Sequence, residues 1–172
     1  MIPSADAYEG VRPGQHYVYR AGPAGSVEEE ILRLDGRTIS VRVTRRDRPG
    51  GPVATVERTI PRDVAWFIKA YRPEVGLAGF GMNGYDAAYF RAMMASHPFT
   101  HDPLPQDVKG AVRVPIGGVS FMGTRSEGTW LARTVDRGCV EMRWTMVRSP
   151  RYPFLLEKTT DGVPVMNLTA IR

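Results

Sequence analysis

Between Thr38 and Thr44 every second residue is apolar: Ile39, Val41 and Val43 alternate with Thr38, Ser40, Arg42 and Thr44. A strand sends successive side chains to opposite faces, so this stretch predicts a strand buried on one face and wet on the other. The period recurs further on, where Val140, Met142, Trp144 and Met146 oppose Glu141, Arg143 and Thr145. Strands of this kind belong to antiparallel sheets with one solvated face. Further strands are expected at Gln15–Ala21, Val27–Leu34, Val53–Ile60, Ala111–Pro115, Val119–Met122, Gly128–Val135, Phe154–Thr160 and Val163–Ile171. Turn residues separate them: Gly22-Pro23, Asp136-Arg137-Gly138, Asp161-Gly162, and Asp35-Gly36, which predicts a type I′ hairpin with positive φ.

At Pro61 the period changes. Val64, Phe67, Ile68 and Tyr71 recur at the spacing of one helix face, and proline suits a helix start. A second helix is expected from Tyr85 to about Ser96, with Tyr85, Tyr89, Ala92 and Met93 along one side. Between the two lies a glycine-rich connection in which Gly79, Gly81 and Gly84 spell G-x-G-x-x-G. A dinucleotide fingerprint needs a strand directly before it, whereas a helix precedes this one, so the segment reads as an apolar lid carrying Leu77, Phe80 and Met82. The predicted fold is mainly β (α+β): a curved antiparallel sheet or half-barrel, with two short helices inserted between its N- and C-terminal strands. It forms one domain over residues 1–172, with 1–13 loosely ordered and 61–97 as the helical insertion.

A chain of 172 residues that is 42% hydrophobic can bury one continuous core. No stretch reaches the roughly 20 apolar residues of a membrane-spanning helix. The first dozen residues, with Pro3, Asp6 and Glu9, are no secretory signal as they stand. The expected location is therefore the periplasm or cell envelope if a leader has been removed, and the cytoplasm otherwise. A net charge of +5 favours anionic partners. Yet the basic residues are scattered, and their one tight group, Arg45, Arg46 and Arg48, sits at the Pro49-Gly50-Gly51-Pro52 turn, so no nucleic-acid partner is expected. A single cysteine, Cys139, excludes an internal disulfide and a multi-cysteine metal site.

Candidate chemistry is sparse. Pro98 stands between His97 and His101 and denies them one helix face, although Asp102 beside His101 is placed to orient an imidazole. His16 lies within the first strand and reads as structural. Glu28, Glu29 and Glu30 form the only acidic run, and Glu28 and Glu30 share a strand face with Leu32 and Leu34, which fits an exposed strand end, a pairing with arginines or a wet cavity. The remaining signal is apolar and adaptable: Met82, Met93, Met94, Met122, Met142, Met146 and Met166, with Trp66, Trp130 and Trp144. Methionine fills irregular gaps and suits surfaces that mould to varied apolar ligands.

Strands, two helices and again strands, closing in Tyr152-Pro153-Phe154-Leu155-Leu156-Glu157 and Val165-Met166-Asn167-Leu168-Thr169-Ala170-Ile171, make an order of elements that resembles the LolA/LolB-like unclosed barrels. The resemblance implies a bacterial envelope protein that carries a lipoprotein or lipid in a concave apolar cavity covered by helices. On this reading the chain is a non-enzymatic carrier of a lipid or other apolar small molecule, able to meet a membrane surface or a protein partner, and it needs no cofactor and no metal. Trp66, Phe67, Phe80, Met93, Met142 and Trp144 are its candidate ligand-binding residues. One alternative is a small β-barrel enzyme of the cyclase or isomerase type, with His97, His101, Asp102 or Glu28 as acid–base groups. Another is an interaction module that uses an exposed strand edge or the basic face.

Overall fold

The structure, a computed structural model, describes residues 5–73, 75–96 and 108–172. Its strands are β1 (His16–Ala21), β2 (Gly25–Leu34), β3 (Thr38–Arg46), β4 (Val53–Pro61), β5 (Val108–Ile116), β6 (Val119–Thr134), β7 (Gly138–Arg148), β8 (Leu155–Thr160) and β9 (Val163–Ile171). They form one curved, unclosed antiparallel sheet in the order β4-β3-β2-β1-β9-β8-β7-β6-β5. Between β4 and β5 the chain forms the helices α1 (Arg62–Tyr71) and α2 (Ala87–Ser96). Among the described residues no helix is long and apolar enough to cross a membrane.

Strand register sorts the two faces, because residues directly opposite one another point the same way. Glu29 is opposite both Tyr17 and Val43, and Ile31 is opposite Val41. Tyr19 is opposite Leu168, Met166 opposite Lys158, and Lys158 opposite Met146, so this inner face runs unbroken from β3 to β7. Helix α1 lies on it. Val64, Ala65, Phe67, Ile68, Lys69 and Ala70 are all buried, and Arg91 of α2 reaches back to Asp63 at 3.2 Å. Arg148 fixes the far end of α1, donating to the Ala70 carbonyl at 3.0 Å and to the Ser126 hydroxyl at 3.3 Å. A guanidinium suits that place, since the last carbonyls of a helix have no partner within it. The outer face is a solvated charge ladder: Arg42 bridges Glu30 at 2.7 Å and Glu57 at 2.8 Å, and His16 meets Glu28 at 2.5 Å.

Three expectations change in detail. Residues 119–122 and 128–134 belong to one strand, because Thr124 through Thr134 pair continuously with β7. The glycine and serine that interrupt the apolar pattern answer to packing: a Cβ on Gly123 would meet the Val147 side chain at 2.6 Å, and Ser126 is fully buried against Arg148. Helix α2 turns Phe90 inward and leaves Tyr89 and Ala92 exposed, since Phe67, Phe80 and Tyr85 receive the Phe90 ring. Ahead of β1, Tyr8 and Val11 are buried. Tyr8 stacks with Tyr152, donates its hydroxyl to the Arg62 carbonyl, and carries the Arg62 guanidinium 4.5 Å above its ring.

The third change is the β2–β3 turn. Gly36 is not among the glycines with positive φ, so the connection is not type I′. The Asp35 carboxylate closes it instead, accepting from the Arg37 and Thr38 amides, both at 2.8 Å, and from the Thr38 hydroxyl at 3.0 Å. Those bonds favour the charged form and hold the carboxyl down at about 2. A carbon-detected NMR titration of the Asp35 side chain is expected to give that midpoint; an ordinary carboxylate midpoint near 4 would contradict the turn geometry. Because the folded value is depressed, the turn's contribution is present above about pH 4 and lost as pH falls toward 2. Asp161 and Gly162 do form the expected hairpin turn between β8 and β9, with φ of 51° and 77°.

Candidate ligand site

The inner face holds one buried polar cluster, and its parts come from distant elements. Glu29 shares the inner side of β2 with Val27 and Ile31, and Lys69 projects from α1 toward it. Only 1% of Glu29 and 3% of Lys69 is exposed, so neither charge is hydrated. An isolated ion there would cost many kcal/mol, which makes pairing obligatory. Lys69 Nζ donates to Glu29 Oε1 at 2.9 Å, to Oε2 at 3.1 Å and to the Tyr19 hydroxyl at 2.7 Å. Tyr152, from the loop before β8, donates its hydroxyl to Glu29 Oε2 at 2.6 Å.

Electrostatics follow from burial. Desolvation pushes the Tyr19 and Tyr152 phenols well above their usual range, and the Glu29 charge adds to the effect. Tyr17, on the same face, is pushed up to about 12 by burial and then by Glu29. Burial holds the Lys69 amine below its usual range, while Glu29 pulls it back up. Lys69 Nζ has a hydrogen-bond partner at each of three atoms, Glu29 Oε1, Glu29 Oε2 and the Tyr19 hydroxyl, which fixes the amine within the cluster. The cluster is built as a clamp between helix and sheet.

Two cavities border this clamp, one lined by Tyr152 and the other by Glu29. The larger, about 610 Å³, is a cleft between the β5–β6 turn, the 149–152 loop and the paired ends of β1 and β9. Tyr17, Val119, Phe121, Met122, Tyr152 and Ile171 give it an aromatic and aliphatic lining, with Glu9 and Arg151, 3.0 Å apart, at its edge. Val119 and Met122 are 58% and 48% exposed, so part of the cavity's apolar rim faces solvent. The smaller cavity, about 320 Å³, lies on the other side of Glu29, beneath the 3-10 turn Leu77–Gly79. A shallow third one, about 220 Å³, separates Trp66 and Tyr71 of α1 from Arg148 and Phe154.

The residues singled out in the sequence fall into two groups. Trp66, Phe67, Phe80 and Met93 gather around the helices: Trp66 and Phe67 both pack on Tyr71, Phe67 and Phe80 on Phe90, and Met93 packs against the core. Of these, only Trp66 lines one of the three cavities, the shallow one. Met142 and Trp144 stand apart on the inner side of β7, partly buried, where the Trp144 indole covers Gly128 so closely that a Cβ there would lie 2.6 Å from the ring. Of the acid–base candidates, His97, His101 and Asp102 lie outside the described residues, and Glu28 is on the outer face with His16 and Arg172. Among the described residues no group of three His, Cys, Asp or Glu side chains is placed to hold a metal ion. Cys139 is exposed.

Glu29, Lys69, Tyr19 and Tyr152 escaped the sequence reading. A signal was present: Val27, Glu29 and Ile31 alternate in one strand, which places an acid on an apolar face and demands a cation opposite it. Comparison with known proteins gives no match to a family model, to a curated protein or to a solved structure.

Proposed function

We propose that this chain is a non-enzymatic binding protein that carries a lipid or other apolar ligand in its half-barrel, and that the ligand occupies the aromatic cleft beside the β5–β6 turn. The observation that carries this reading is the cleft itself, about 610 Å³ with Tyr17, Phe121, Met122, Tyr152 and Ile171 on its walls. Its volume is within the range of roughly 300–1,000 Å³ typical of small-molecule sites, and its lining is of the predominantly apolar kind. Because the sheet is unclosed, the cleft stays in contact with solvent at Val119 and Met122, where an acyl or ring system can enter. The LolA/LolB-like order of elements supports the same reading, and the clamp rigidifies the cleft wall through Tyr152.

Met122 is the residue to change, since it is half exposed and its loss leaves the core intact. Met122→Asp is expected to weaken binding of a fluorescent fatty acid at least tenfold, a difference of about 1.4 kcal/mol, with an unchanged melting temperature. Equal affinity in the variant and the parent, measured by fluorescence titration, would remove the cleft from the account.

A further inference from the structure

The smaller cavity has a composition of its own. Val27 and Val43 of the inner face, Leu77 of the 3-10 turn and Met166 of β9 supply an apolar body, and the buried acid Glu29 is among the lining residues. A carboxylate offers about four lone-pair positions. Lys69 and Tyr152 between them use both positions on Oε2, whereas Oε1 receives only the Lys69 proton among the described residues. One acceptor position therefore remains on a side chain that is 1% exposed and borders a cavity of about 320 Å³.

Charge balance selects what can use it. Glu29 and Lys69 neutralise each other within the clamp, and Arg45 and Asp47 at the cavity's edge are paired at 2.8 Å. A ligand ammonium would add an uncompensated buried positive charge, and a ligand carboxylate would meet Glu29 itself. A neutral hydroxyl avoids both costs, because it donates one hydrogen bond and adds no charge. We infer that the cavity under the Leu77–Gly79 turn is a second binding site, for an uncharged alcohol whose hydroxyl donates to Glu29 Oε1 and whose compact apolar body lies against Val27, Val43, Leu77 and Met166. It extends the carrier reading to a different place in the fold and does not depend on occupancy of the aromatic cleft.

The test uses the full chain, methyl-labelled, titrated with 1-octanol, n-octylammonium chloride and sodium octanoate under methyl-detected NMR. Octanol is expected to move the Leu77, Val27, Val43 and Met166 methyls saturably, and to bind at least tenfold more tightly than either charged analogue. Val165→Trp, at a partly exposed position lining the cavity, is expected to abolish those shifts while the rest of the spectrum stays in place. Glu29→Gln is expected to weaken octanol binding in any preparation that folds. The inference is overturned if octanol moves only Met122 and Ile171, if it moves no methyl, or if octanoate or octylammonium binds as well. Octanol shifts at Leu77 in a protein that takes up no lipid would leave this site standing and remove the cleft.

Discussion

Replacing Lys69 by methionine is expected to lower folding stability by about 3–5 kcal/mol, because it leaves Glu29 buried without its counter-ion. The apolar stem of methionine fills much of the space, so the loss reports the charge and not a cavity. Adding Glu29→Gln to the same protein should restore most of it: the amide is neutral, its oxygen still accepts from Tyr152, and no ion is left in the interior. Urea unfolding of the parent, both single variants and the double variant closes the cycle, and a coupling energy of about 2 kcal/mol or more is expected. Additive losses would mean that the two side chains do not meet.

Alkaline unfolding supplies the second large effect. Tyr8, Tyr17, Tyr19 and Tyr152 all hold their protons above the usual tyrosine range, in each case chiefly through burial. A folded-state pKa that is raised contributes stability fully present below the unfolded value, about 10, and lost as pH climbs toward the folded value. Lys69 acts in the opposite sense, since burial lowers its value, but its contribution levels off once the unfolded lysine also deprotonates near about 10.4. Above that point each of the four tyrosines removes about 1.4 kcal/mol per pH unit, so together they approach roughly 5 kcal/mol per unit. A domain of ordinary stability, about 5–15 kcal/mol, then unfolds cooperatively between about pH 11 and 12. Tyrosinate absorbance and far-ultraviolet circular dichroism should rise and collapse together. Smooth ionisation of these tyrosines with the sheet intact would show them to be in contact with water.

Much of the fold was legible because its signals are local. The alternation in β3 and β7, the Asp161-Gly162 turn and the helical spacing of Val64, Phe67, Ile68 and Tyr71 each arise from neighbours in the chain, and each appears where it was read. The break proposed within β6 failed for a tertiary reason: Gly123 and Ser126 look like interruptions until Val147, Leu156 and Arg148 are packed against them. Asp35-Gly36 marked a turn correctly but not its type, which the Asp35 carboxylate decided.

The candidate site was far less legible. Attention fell on Glu28 and Glu30, whereas the acid that matters for the interior is Glu29 between them, and its partner Lys69 stands 40 residues away on a helix. Nor does any short segment announce the aromatic cleft. Tyr17, Phe121, Tyr152 and Ile171 converge only because β9 pairs with β1 and the β5–β6 turn lies across from their ends. Aromatic and methionine content pointed to an adaptable apolar surface, but Phe67 of α1 and Phe80 of the connection both pack on Phe90 of α2.

The central claim, that the half-barrel carries an apolar ligand, is tested most directly by native mass spectrometry of the purified protein followed by denaturing extraction. The account predicts a bound apolar molecule that is lost on denaturation, or a mass increment acquired on incubation with a lipid mixture and reduced by Met122→Asp. A clean mass for the bare chain that stays clean after that incubation would contradict it.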